Sequence, residues 1–153
     1  MSTIIPIVSP NDGRVIGELP GDGEHAVTHA TAALEAALPS LADAEARRAI
    51  LSAFSQNLIE RRDPLAEIVM REVGKPPAES AGEIEYAASF VDQAVAPLDG
   101  FAFRESVTAG QATAYLPLGV ALLIAPFNDP AAGLARKIAP AVAAGCPVLV
   151  KPS

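Results

Sequence analysis

Two side chains in this chain are placed to do chemistry, Asn128 and Lys151, and each ends an apolar run within GVALLIAPFNDPAAGLARKIAPAVAAGCPVLVKPS, residues 119–153. An asparagine amide just outside a dry strand end is suited to hold an oxygen that is gaining negative charge. A lysine ammonium offers three donors to ribose hydroxyls or to a phosphate. A plainer alternative stands beside this reading: Asn128 forms an Asx-turn before Pro130, and Lys151 is a surface charge after an edge strand. Cys146 is the single thiol, which excludes an internal disulfide. It lies in AAGCPV, between a helix-ending glycine and a proline at a strand entry, where a small packed residue is wanted; a reactive thiol needs an accessible, electropositive setting. His25 and His29 stand four residues apart, a spacing that clamps a metal on a helix, but no third ligand accompanies them and no metal is expected. Glu79, Glu83 and Glu85 tempt an acid–base assignment; on an amphipathic helix they are expected to form a carboxylate face turned to water.

The elements that must position Asn128 and Lys151 follow from periodicity. Val120 to Ala125 is apolar at every position, which predicts a strand buried on both faces, as in a parallel sheet covered by helices. Pro130 opens a helix through AAGLARKIAPAVAA, Gly145 ends it, and Pro147 to Val150 makes a second strand. Strand, helix and strand in about 30 residues form a βαβ unit. Ligands in open α/β sheets bind beyond the carboxyl ends of the strands, and those ends carry Asn128 and Lys151. No G-x-G-x-x-G follows the first strand, so a dinucleotide, if bound, is held in another way.

Upstream, Ile4 to Val8 and Arg14 to Leu19 flank Ser9-Pro10-Asn11-Asp12-Gly13 and predict a β-hairpin. Asp22 is expected to cap a helix running to about Leu38. In the next helix, capped by Asp43, an apolar stripe of Ala46, Ile50, Phe54 and Leu58 beside Leu51 and Ile59 points Arg47, Arg48, Gln56 and Glu60 outward. Pro64 restarts a helix that Gly74 and Pro76 close, and a fourth helix spans about Ala78 to Ala96 with Ile84, Ala87, Ala88, Val91, Ala94, Val95 and Leu98 on one face. FAFRESV and ATAYLPL then predict a strand pair. The fold class is α/β: a hairpin (1–20), a helical layer (22–98), a strand pair (101–118) and the first βαβ unit of a Rossmann-like doubly wound sheet (119–153).

Composition excludes several classes. With half its residues hydrophobic and 19% charged, the chain has material for a core and is not a disordered polymer. A net charge of −7 leaves no basic stripe to displace counterions from a nucleic acid. The longest apolar stretch is far short of the roughly 20 residues of a membrane helix. MSTIIPIVSPNDG has no basic n-region and meets proline early, so no secretory signal is read and a cytoplasmic location is expected.

The spaced motifs carry a resemblance. PLGVALLIAPFNDP, RKIAPAVAAGC and VLVKPS resemble the P-L-G-V…P-[WF]-N-x-P, K-x-x-P-A…A-A-G-[NC] and V-x-K-P-[SA] segments of the aldehyde dehydrogenase superfamily, while SPNDGRVIGELP resembles its N-terminal hairpin and EVGKPPAESAGEIEYAASFVD a helix start. The likeness covers nearly the whole chain and is nearest to the branch that oxidises small aldehydes and semialdehydes. It implies an NAD- or NADP-dependent oxidation of an aldehyde to a carboxylic acid. Residue by residue, it implies that Asn128 helps form the oxyanion hole and that Lys137 lies near the proton-relay region. Ile124, Ala125, Pro126 and Phe127 match the strand end on the nicotinamide side of the cofactor, Lys151 the lysine at the adenosine ribose, and Ser153 the adjoining cofactor wall. Asp129 departs from the family, standing where many members place an aromatic of the aldehyde tunnel, which favours a polar tunnel. The family's thiolate nucleophile and glutamate base belong downstream of the K-P-S strand end. The chain therefore reads as the N-terminal portion of such an enzyme, inactive alone and prone to self-association through open strand edges. The rival readings are a non-catalytic chain that pairs with a full-length homologue and a plain helical interaction module whose βαβ tail is vestigial.

Overall fold

The structure, a computed structural model, describes residues 3–153. Strands β1 (Ile4–Val8) and β2 (Val15–Pro20) pair antiparallel, with Ile5 opposite Leu19 and a bulge after Ile7. Four helices follow: α1 (Glu24–Ala37), α2 (Ala44–Glu60), α3 (Arg62–Val73) and α4 (Pro77–Val95). A hairpin of β3 (Arg104–Thr108) and β4 (Gln111–Ala114) leads to β5 (Ala121–Ile124), α5 (Pro130–Ala143) and β6 (Val148–Lys151). The last three elements form the expected βαβ unit, with β5 and β6 parallel.

Helix α4 is the centre of the packing. Its Ile84, Ala87 and Val91 are fully buried, and they meet Leu51 of α2, Ala66 and Val69 of α3, and Ala132, Ala135, Ala139 and Val142 of α5. The many alanines at this junction let α4 and α5 lie close, so whatever α4 carries on that face is pressed against the start of α5.

Several sequence expectations shift. Helix α1 starts after Gly23 with no side-chain cap, so Asp22 does not cap it. Asp43 does cap α2, accepting from the Glu45 amide at 3.1 Å. The buried face of α2 is turned from the predicted stripe: Ile50 and Ile59 are about half exposed, whereas Arg47 is only 3% exposed. Arg47 is drawn inward because Nη1 donates to the carbonyls of Leu41 (2.6 Å) and Ala42 (3.1 Å), and its guanidinium lies 4.4 Å from the centre of the Phe103 ring. Those carbonyls belong to the short 3-10 turn after α1 and would otherwise lack a partner. The arginine ties that turn, α2 and the β3 side of the molecule together.

Strand β5 is not buried on both faces. Ala121 and Leu123 are partly covered on the α5 side, while Leu122 and Ile124 are 61% and 54% exposed. Helix α5 packs against both strands of this two-stranded sheet and α1 also approaches β6, but among the described residues no second helix covers β5 in the same way. The apolar run predicted a sandwiched strand because it encodes the hydrophobicity of both faces, whichever of them is covered.

Replacing Arg47 by methionine strands two carbonyls and is expected to lower unfolding free energy by about 1–3 kcal/mol. Arg48→Met, whose ion pairs with Glu45 and Asp99 lie at the surface, is expected to cost less. Urea unfolding of the two variants side by side checks this, and equal losses would contradict the tying role of Arg47.

Candidate functional site

In the parallel pair Ile124 stands directly opposite Lys151, and the Ala125 amide donates to the Lys151 carbonyl at 3.0 Å. The carboxyl ends of β5 and β6 therefore share one rim. From it the chain runs through Ala125, which is buried, to Phe127 and Asn128, which are exposed. Ile124 and Phe127 present apolar surface there, Phe127 with 76% of its area free. Lys151 and Ser153 are exposed, and Lys151 Nζ donates to the adjacent Pro152 carbonyl at 2.7 Å. Lys137, two turns into α5, reaches back to the Ile124 carbonyl at 2.5 Å and so ties helix to strand end.

The loop from Pro126 to Asp129 is held from below. Helix α5 has no cap from its own N-cap residue, since the Asp129 side chain makes no capping bond. The cap comes from α4: Glu83 Oε1 accepts from the amides of Ala131 (2.8 Å) and Ala132 (3.2 Å). A carboxylate is the natural partner for the unpaired amides and positive end of a helix N-terminus. Its other oxygen, Oε2, accepts from Lys75 Nζ at 2.5 Å, and Lys75 also donates to Asp129 Oδ1 at 2.5 Å. Asp129 Oδ2 in turn accepts from Asn128 Nδ2 at 2.8 Å. Burial works to lower the Lys75 pKa, but hydrogen bonds and attraction from Asp129 and Glu83 outweigh it and hold the ammonium above the ordinary lysine value.

Two glycines permit close approaches around this cluster. Gly74 ends α3 at φ +80°, and a Cβ there would lie 3.0 Å from Pro10 Cγ in the N-terminal hairpin, so the hairpin turn packs beside Lys75. Gly133, in the first turn of α5, faces Pro126: a Cβ would meet Cγ and Cδ of that ring at 2.7 and 2.8 Å.

Cys146 is buried at the far end of α5. Because α5 runs back from the carboxyl ends of the strands to their amino ends, its 14 residues place Cys146 about 20 Å from the Asn128 rim. His25 and His29 are exposed on α1, and no cluster of three or more metal-binding side chains occurs among the described residues. Glu79 and Glu85 do face water, with Glu85 paired to Arg62 at 2.7 Å. Glu83 corrects the expected carboxylate face: it is 5% exposed and caps a neighbouring helix.

Compared with known proteins, the sequence matches the profile of the Aldehyde dehydrogenase family over residues 1–153. The chain belongs to the aldehyde dehydrogenase family. As a member, it is 36% identical over 97% of its length to glutarate-semialdehyde dehydrogenase of Pseudomonas putida, and equally to the NADP-dependent succinate-semialdehyde dehydrogenase of Escherichia coli. In each case the match covers 32% of the relative, so the chain spans about a third of the length of the aldehyde dehydrogenases it matches. The fold agrees: an NADP-dependent enzyme of Escherichia coli superposes with a TM-score of 0.90 at 33% identity, over 99% of this chain and 33% of that one. An aldehyde dehydrogenase of Brucella melitensis biovar abortus gives 0.90 at 36% identity, over 99% and 32%.

Sequence reasoning about this aldehyde dehydrogenase segment missed Lys75 and Glu83. The signal was present in the helical period. Position 83 falls in the same stripe as 80, 84, 87 and 91, all of them buried, and a carboxylate within an apolar stripe implies a buried partner.

The Lys75 pKa is raised on folding, so its ion pairs add their full stability below the unfolded lysine value of about 10.5 and lose it as pH climbs through the higher folded value. The stability gap between the wild-type chain and Lys75→Met is therefore expected to be constant from pH 7 to 9 and to shrink above pH 10.5, as read by denaturant titration across that range. Gly133→Ala tests the Pro126 contact. Helix propensity alone favours alanine by about 1 kcal/mol, whereas overpacking costs about 1–3 kcal/mol. Net destabilisation in urea is expected, and a stabilised variant would mean that the proline yields freely.

Proposed function

We propose that this chain forms the cofactor-side and oxyanion-side portion of an NAD(P)-dependent aldehyde dehydrogenase acting on a short polar aldehyde of the semialdehyde type. The observation that carries the reading is the shared rim, where the Ile124–Lys151 register brings an exposed carboxamide, an exposed ammonium and an apolar platform to one edge of a parallel sheet. The family match, and relatives named for glutarate and succinate semialdehydes and for NADP, support it.

The residues present fit such a cofactor. Ile124 and Phe127 offer apolar surface to a flat ring and keep water from its face, and Lys151 offers ammonium donors to ribose hydroxyls. When bound, NAD(P) supplies the acceptor for the aldehyde hydrogen. Asn128 Nδ2 donates to the aldehyde oxygen as nucleophilic attack turns it into an alkoxide, a contribution made to the transition state more than to the ground state. Lys137 fixes the Ile124 carbonyl and so the strand end, a holding role beside the proton-relay position that the resemblance suggests. Asp129 beside Asn128 makes the rim polar, in keeping with a hydrophilic aldehyde. On this reading the nucleophilic cysteine and the water-activating glutamate are not among residues 3–153, because Cys146 lies at the opposite end of α5 and Glu83 is committed to capping.

A second reading is favoured by one observation. Leu122 and Ile124 on the open face of β5, with Leu116, Leu118 and Phe127 nearby in sequence, are large exposed apolar side chains. Such a surface recruits partners, and it suits a chain that associates with itself or with a full-length homologue.

For the first reading, NADPH fluorescence titration of the purified chain is expected to show saturable binding that Lys151→Met weakens roughly tenfold, the loss of a charged hydrogen bond. Succinic semialdehyde with NAD or NADP is expected to yield no reduced cofactor. An unchanged affinity in the variant would overturn the role of Lys151, and steady production of NADPH would overturn the assignment of the nucleophile. Sedimentation velocity addresses the second reading, with oligomers expected and a clean monomer counting against it.

A further inference from the structure

We propose that Lys75 and Glu83 are positioning residues for Asn128, acting through Asp129 and the first turn of α5. The inference rests on the reading of Asn128 as an oxyanion donor and adds residues from α4 and the α3–α4 junction to it.

Asn128 lies in an exposed loop between Pro126 and Pro130, and left alone its amide could flip or swing. Asp129 removes the flip. With Nδ2 turned to Asp129 Oδ2 a hydrogen bond of 2.8 Å forms, whereas the flipped amide would set two acceptor oxygens against each other. One Nδ2 hydrogen is then used, and the second is directed elsewhere at a fixed angle, available to an oxygen gaining charge.

Asp129 can hold the amide only if it is itself held, and its charge creates a second requirement. A bare carboxylate one hydrogen bond from the donor would raise the energy of a nearby alkoxide by like-charge repulsion. Lys75 meets both needs, since its ammonium anchors Asp129 Oδ1 and cancels the carboxylate's charge. Lys75 is fixed in turn by Glu83, and the remaining negative charge of Glu83 faces the amides of Ala131 and Ala132 at the positive end of α5. The sequence of contacts from α4 to the Asn128 amide is unbroken. The arrangement also accounts for an aspartate at a position where the family resemblance leads one to expect an aromatic. Here Asp129 takes part in the device that aims its neighbour.

The test is nitrogen–proton correlation NMR of the labelled 153-residue chain, following the two Asn128 side-chain amide protons. In the wild type they are expected at separate, hydrogen-bonded positions. Lys75→Met and Asp129→Asn are expected to move them toward the positions of a solvent-exposed amide, and Lys75→Arg to retain them. Glu83→Gln is expected to shift the Ala131 and Ala132 backbone amides as well as the Asn128 pair. If Lys75→Met loses backbone dispersion, Asp129→Asn carries the test: Asn128 signals moved toward the exposed-amide positions support the proposal, and wild-type signals overturn it. Identical Asn128 signals in folded Lys75→Met and wild type also overturn it. NADPH titration of the same samples reports separately on the cofactor reading. A wild-type chain that shows the Asn128 signature but binds no NADPH would sink that reading and leave the clamp standing.

Discussion

The geometry of the rim depends on one buried carboxylate meeting one helix start. Glu83 leaves α4 on the face that also carries Ile84, Ala87 and Val91, and the α4–α5 packing delivers it under the amides of Ala131 and Ala132. A charge that is 5% exposed is tolerated only when its lone pairs are filled, and here two amides and an ammonium fill them. Because the same contact fixes where α5 begins, it also fixes the loop that precedes α5 and, through Pro126 against Gly133, the approach of β5 to the helix. The polar cluster sets direction while the alanine-rich junction supplies cohesion.

Much of this was legible in the residues. Helix α4 and the βαβ unit were bounded within a residue or two, because their apolar periods are long and their ends carry proline or glycine. The neighbourhood of the two strand ends followed from the rule that a crossover helix returns a parallel strand to the same direction. What escaped depended on partners distant in sequence. Arg47 looks like an ordinary solvated charge until the carbonyls of Leu41 and Ala42 fold over it. Glu83 looks like one of three carboxylates on a polar face until α5, nearly fifty residues later, arrives with unpaired amides. The strand β5 was mistaken for one covered on both sides because hydrophobicity records what a surface tolerates, and here only one helix comes to cover it.

The two polar anchors, Arg47 and Glu83, follow a common pattern. Each is a charged side chain on a core helix that satisfies backbone groups of a neighbouring element, carbonyls after α1 in one case and amides at the start of α5 in the other. Hydrophobic burial is non-directional, so it permits helices to slide or rotate against one another. Charged groups aimed at backbone ends remove that freedom at two places.

The β3–β4 hairpin lacks such an anchor along its length, and every residue in both strands is exposed. Its attachment is at the base, where Phe101 meets Phe103 and Tyr115 edge-on and Arg47 lies over Phe103. A lone two-stranded ribbon is marginal in water, so this arm is expected to open as a unit of its own at smaller free-energy cost than the helices. Its amides are then expected to trade hydrogen for deuterium before those of α4, and the ribbon's open edges offer a backbone template to a strand that comes alongside.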